Sequence, residues 1–332
     1  MLSGISITCF AASYAVALTL EISRVFFRAL VRRYVSWIFM VLGLFTHTSY
    51  LVFRAQEGYS LRGTPLSNWY HWCLVAAWLV ATCYLLISFS RPTTTSGVFL
   101  LPLVLALIGV ACLFPRDQVF PISTGHRVWG SIHGATWTLG TATVTIGFAA
   151  GIMYLLQSYR LKRKIPMKTG FRLPNLEWLR KLNERSLVVS AVFLAAGLLS
   201  GIMMNLIRRD GQEVGFPWTD PVVWTSGLLF LWLVVAAVFS HLYKPARLGW
   251  KVAYLTVASF VFLILVLGIV FLSSTQHTRE RPGDSNSNQI EQSAAQSHSM
   301  NPLRMAVRRR YGTERFSAQR GSANLPTEAQ SP

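Results

Sequence analysis

Apolar residues along this chain gather in runs of about 19 to 25, each long enough to cross a hydrocarbon core about 30 Å thick. Polar residues collect between the runs. Eight helices are predicted, at roughly residues 4–22, 35–53, 69–90, 96–114, 129–157, 186–207, 222–243 and 249–274. The fold class is therefore an all-α, polytopic membrane helix bundle of about eight transmembrane helices. The first run precedes its basic cluster and shows no small-residue cleavage site, so it is expected to be a retained span. Between the fifth and sixth runs, Pro166, Gly170 and Pro174 break the chain. Leu176, Leu179 and Leu182 then recur at three-residue spacing among Glu177, Arg180 and Lys181, which predicts a short interfacial amphipathic segment. From about Arg279 to Pro332 the apolar pattern stops, and a tail rich in Ser, Gln, Asn, Arg and Pro is expected to be disordered. Three regions follow: 1–127 with four helices, 128–278 with four more and an outer Trp/Asp loop, and the tail 279–332. No internal repeat stands out.

Composition agrees with this pattern, at 52% hydrophobic and 13% charged residues. The formal net charge of +18 gains meaning from where the cations sit. One set of connections holds Arg24, Arg28, Arg32, Arg33, Arg91, nine residues from Arg160 to Arg185, and Lys244, Arg247 and Lys251, seventeen in all. The alternate set holds Arg54, Arg62, Arg116, Arg127, Arg208 and Arg209, six in all. Basic connections stay on the cytoplasmic side, so both termini are expected outside. Much of the positive charge is thus a topology signal. The basic stretch Arg308-Arg309-Arg310 near Arg304 reads as part of a solvated tail. No basic stretch is interleaved with stacking aromatics on a soluble domain, so the expected partner is the lipid bilayer and not nucleic acid.

The four cysteines, Cys9, Cys73, Cys83 and Cys112, fall in or at the edge of predicted spans without a Cys-x-x-Cys pair, and read as small apolar packing residues. Zinc-type spacing, a Gly-rich phosphate loop and a Ser-His-Asp arrangement do not stand out. An enzyme in the ordinary sense is not indicated.

The histidines carry more. His133 lies near the outer start of the fifth span, and His277 follows the outer end of the eighth. Between spans six and seven, also outside, runs Pro217-Trp218-Thr219-Asp220-Pro221-Val222-Val223-Trp224. Two imidazoles and a tryptophan-rich loop on one face can enclose a flat, apolar, metal-bearing ligand, with His133 and His277 as axial ligands of haem iron. The plainer reading is that boundary tryptophans form the interfacial belt. His47 sits inside the second span, where an ionisable group tends to face a cavity or a partner, and a hydrogen bond to a nearby Ser or Thr is the structural alternative. His241, at the inner end of span seven, can snorkel to water. His71 reads as belt, and His126 and His298 carry no signal.

At these residues the chain resembles the cytochrome c assembly membrane proteins of the CcsA/HemX type. The resemblance rests on His133 opening span five, on Gly151-Ile152-Met153-Tyr154-Leu155-Leu156-Gln157 before a basic loop, and on Leu173-Pro174-Asn175-Leu176-Glu177 followed by Leu182-Asn183. It extends to Gly197-Leu198-Leu199-Ser200-Gly201, a small-residue surface that permits close helix approach, and to the interval from Gly268 to His277. The family's loop reads Trp-Asp-Pro-Lys-Glu, whereas here Thr219 separates Trp218 from Asp220-Pro221, and Val222-Val223 replace Lys-Glu.

The resemblance implies a b-type haem held by His133 and His277, with Trp218, Asp220 and Trp224 over the ring and His47 matching a histidine of an early span. It implies a haem-handling role in cytochrome c maturation beside an assembly partner subunit and apocytochrome c, as part of a haem-attachment complex, at the bacterial inner (plasma) membrane. Two alternatives remain at this point: a HemX-like regulatory or scaffolding membrane protein without haem, and a small-molecule transporter. The latter is the weaker, as no inverted repeat or paired broken helix is evident.

Overall fold

The computed structural model describes residues 7–26, 30–62, 66, 68–114, 126–164, 171–208, 221–242 and 249–272. Those residues form eight α-helices: α1 Ile7–Phe26, α2 Leu30–Arg62, α3 Trp69–Ser90, α4 Gly97–Ala111, α5 His126–Lys162, α6 Leu176–Arg208, α7 Pro221–Leu242 and α8 Trp250–Leu272. All eight lie within one compact unit, Met1–Thr275. The tail from about Arg279 lies outside the described residues.

Six of these helices, α2, α3 and α5 to α8, are long and apolar enough to cross a membrane. The chain is a multi-pass integral membrane protein. The fourth helix is shorter, at 15 residues, and carries Pro102 in its interior. At about 1.5 Å per residue it falls short of the hydrocarbon thickness, and Pro102 withholds one backbone donor from the helix. The first helix carries Glu21 and Arg24 in its last turns. Glu21 is 1% exposed and receives a bond of 2.6 Å from Arg24, which also donates to the Pro92 carbonyl. A buried carboxylate requires such a partner.

Helix ends differ from the hydropathy limits for a simple reason. Apolarity marks where the bilayer is, and a helix continues beyond it while its residues remain helix formers. α2 runs on through Arg54, which pairs with Glu57 at 2.6 Å across one turn. α6 gives the larger correction. The predicted separate amphipathic segment at Leu176, Leu179 and Leu182 is the first part of a continuous 33-residue helix. Asn175 caps it, accepting from the Trp178 amide at 2.9 Å. Glu177, Arg180 and Glu184 form ion pairs along its exposed side, while Leu179 is fully buried.

α5 organises the bundle, packing against α3, α4, α6 and α8. Its interface with α6 follows a regular antiparallel register. His133 meets Gly201, Trp137 meets Gly197, and Gly140 meets Leu194, so each step of four or three along α5 matches an equal step back along α6. A seam of that period is the geometry of helices crossing at a shallow angle. Elsewhere in the bundle, side-chain hydrogen bonds tie helices together where lipid offers no hydrophobic drive. Trp37 donates to Ser88 at 2.7 Å and Trp78 to Thr48 at 2.8 Å, linking α2 to α3. Trp232 donates to Ser259 at 3.0 Å, linking α7 to α8.

Contacts between connections agree with the two sets separated by charge. At one end, the Thr95 amide donates to the Arg172 carbonyl at 2.8 Å, and the Arg91 guanidinium lies 4.9 Å from the Trp178 ring centroid. At the other, the Trp69 and Phe114 rings stack at 6.3 Å. Of the cysteines, Cys73 and Cys83 are half-buried as expected for packing residues, whereas Cys9 and Cys112 are exposed on the helix surface.

Candidate functional site

His133 is half-buried on the second turn of α5. Its Nδ1 lies 2.8 Å from the Gly197 carbonyl and 3.4 Å from the Ser200 hydroxyl, both on α6. Because a carbonyl oxygen accepts and cannot donate, Nδ1 carries the proton, and a neutral ring then has its lone pair on Nε2. Ser200 donates to the same carbonyl at 2.8 Å, which holds that oxygen in place.

Glycine is what lets the ring sit there. A Cβ on Gly201 would lie 3.2 Å from His133 Cε1, and one on Gly197 would lie 3.1 Å from Trp137 Cδ1. The small-residue surface expected from the sequence is therefore the seat of His133. Aromatic side chains flank it. Trp137 tilts at 56° to the imidazole with ring centroids 6.3 Å apart. Trp72 of α3 packs against the backbone beside it, 2.5 Å from where a Cβ on Gly134 would stand. Trp72, Ser200 and the Gly197 carbonyl are the partners that reading by sequence missed. The steps of four and three shared by α5 and α6 were the available signal.

His47 is fully buried in α2, in a different cluster. Its ring stacks on Phe10 of α1, with centroids 4.1 Å apart and planes 1° from parallel. Its Nδ1 bonds the Tyr14 hydroxyl at 3.2 Å. The partner is thus a tyrosine on another helix and not the nearby Ser or Thr that the sequence suggested. Nε2 is buried without a hydrogen-bond partner among the described residues. Trp224 stands in the first turn of α7 and is 64% exposed. Trp218, Asp220 and His277 lie outside the described residues. Among the interactions above, His47 is held from α1 and His133 from α6.

The arrangement is that of a polytopic helical membrane protein with one tautomer-fixed imidazole seated between two antiparallel helices at one end of the bundle. Residues 66–277 match the model of the family described as Cytochrome C assembly protein, and the chain belongs to that family. A relative, the cytochrome c biogenesis protein CcsA of Trieres chinensis, is 24% identical over 249 residues, covering 64% of this chain and 77% of that protein. The matched stretch contains the seat of His133. Helices α1 and α2, with His47, lie before it. Membership places the chain in cytochrome c maturation.

Proposed function

We propose that this protein holds haem at the outer face of the membrane and presents it to an assembly partner and apocytochrome c. His133 and His277 would be the axial ligands, and Trp218 and Asp220 of the connection between α6 and α7, with Trp224 of the first turn of α7, would cover the ring. The observation that supports this most is the bond from His133 Nδ1 to the Gly197 carbonyl. Metal-ligating histidines are commonly fixed in this way, with one ring nitrogen donating to an oxygen and the other oriented as the ligand.

Among the described residues, no three His, Cys, Asp or Glu side chains come together as a metal-binding group. Haem iron asks the protein for axial donors alone, and a pair of imidazoles suits it. When bound non-covalently, as a b-type group, haem is the cargo that is handed on. Its attachment would draw on thiols of the apocytochrome. The work of this chain's own residues is to orient: Gly197 and Ser200 hold the imidazole, and Gly201 leaves room for it. In this reading His47 belongs to the packing of α1 on α2.

Detergent-purified protein is expected to show a bis-histidine absorption spectrum that His133→Ala and His277→Ala each abolish. Absence of a Soret band in the wild type, or an unchanged spectrum in both variants, overturns the reading. That outcome would favour a regulatory or scaffolding role without haem, which the Val222-Val223 pair in place of Lys-Glu also favours.

A further inference from the structure

At the opposite end of α5 from His133, a cleft of about 420 Å³ opens between the last turns of α5 and the first turns of α8. Its volume is in the range of clefts that hold small ligands. Ile152, Leu155 and Leu156 form an apolar wall, Tyr159, Trp250 and Tyr254 an aromatic rim, and Lys162 reaches in from the end of α5. All three rim aromatics are more than a third exposed, as expected of side chains at the depth of lipid headgroups.

Charge here is one-sided. Lys162 has no ion-pair partner among the described residues, and neither does Arg163, whose guanidinium lies 5.8 Å from the Tyr159 ring centroid. Lys251 Nζ lies 5.6 Å from the Trp250 centroid. The carboxylates described near this end of the bundle are already engaged, Glu177 and Glu184 by Arg180 and Lys181 on α6, and Glu21 by Arg24. In addition α8 begins at Trp250, so its first amides and the positive end of its dipole lie at the cleft. An apolar wall, an aromatic rim and the cations Lys162 and Arg163, without ion-pair partners among the described residues, together describe a ligand with an acyl chain and an anionic head. The basic connections place this end at the cytoplasmic leaflet, where acidic phospholipids are held by Lys and Arg.

We propose that the cleft between α5 and α8 binds an anionic phospholipid of the cytoplasmic leaflet. Lys162, with the start of α8, faces the phosphate, and an acyl chain lies along Ile152, Leu155 and Leu156. The site is independent of the reading of His133, and neither depends on the other.

The test is lipid retention. Full-length protein would be purified in mild detergent, exchanged with phosphatidylglycerol or phosphatidylcholine, and its retained lipid weighed by native mass spectrometry. Wild type is expected to retain phosphatidylglycerol and release phosphatidylcholine. Lys162→Gln should weaken retention about fivefold, since one basic residue near a headgroup is worth about 1 kcal/mol. Lys162→Glu should weaken it further, and Trp250→Ala should lower it as well. Arg185→Ala, an exposed cation on α6 outside the cleft, should leave it unchanged. Equal retention of both lipids, equal retention by wild type and both Lys162 variants, or full displacement of the lipid by inorganic phosphate would each overturn the proposal. Circular dichroism of every variant separates loss of lipid from loss of fold.

Discussion

His47 and His133 both sit on long apolar helices, yet the bundle treats them differently. His47 is sealed, with one face of the ring covered by Phe10 and Nδ1 held by Tyr14, another side chain in the apolar interior. His133 is half-buried and held by backbone, the Gly197 carbonyl, beside a gap that Gly201 leaves for the ring. A side-chain partner can be lost by one substitution, whereas a carbonyl persists whatever residue carries it. The His133 seat is therefore set by helix register, and the His47 seat by the identity of a neighbour. The first lies inside the stretch matched to the family and the second outside it.

The largest expected effect breaks the comparison at its functional side. His133→Ala should abolish the haem spectrum of the purified protein while the far-ultraviolet circular dichroism stays that of the wild type. His47→Ala should leave the spectrum in place. Loss of the spectrum in both variants would mean that the two seats act together, although one is held from α1 and the other from α6.

Gly201→Leu comes next, because it attacks the seat without replacing the proposed ligand, His133. Its Cβ would already lie 3.2 Å from His133 Cε1, and the further carbons must displace the ring or part the helices. Overpacking of this kind costs about 1–3 kcal/mol, and disturbing a group that orients a metal ligand lowers affinity by about 10–100-fold. Haem titration of the variant checks this; wild-type affinity would show that the seat tolerates a wider gap.

How far the sequence foretold these seats follows from the same difference. Hydropathy located all eight helices, and α3 has the predicted limits, because a bilayer demands continuous apolar length whatever the tertiary packing. The small surface at Gly197 and Gly201 was also legible, since its spacing is local to α6. That His133 fills it depends on the register of α5 against α6, which the shared steps of four and three encode in two places 64 residues apart. The Tyr14–His47 bond left no such mark. Nothing in α1 distinguishes Tyr14 from any other aromatic in a span until α1 is docked on α2. The join of the amphipathic segment to α6 was missed because polar residues ended the hydropathic run at Arg185, while helix propensity and the ion pairs of Arg180 carried the helix through.

On the packing side, His47→Ala should lower stability by about 2 kcal/mol or more, since a buried ring is replaced by a cavity and the Tyr14 hydroxyl loses its partner. The midpoint of thermal unfolding in detergent, followed by tryptophan fluorescence, measures it. An unchanged midpoint would show that α1 is held on α2 by other contacts, such as the close approach of Tyr14 to Gly43.

Tyr14→Phe is the smallest and most specific change. It keeps the ring volume of a fully buried residue and removes one hydroxyl. The bond to His47 Nδ1 is lost, and a nitrogen that had a partner becomes an unpaired polar atom in an apolar interior, at a cost of about 1–2 kcal/mol. The double variant Tyr14→Phe with His47→Leu removes both partners, and an apolar pair of similar size should recover most of that loss. Recovery would show that the bond specifies which helix face docks and adds little to how tightly it docks. Continued loss in the double variant would instead mean that the imidazole is needed for something beyond its bond to Tyr14, and the unpartnered Nε2 would be the place to look.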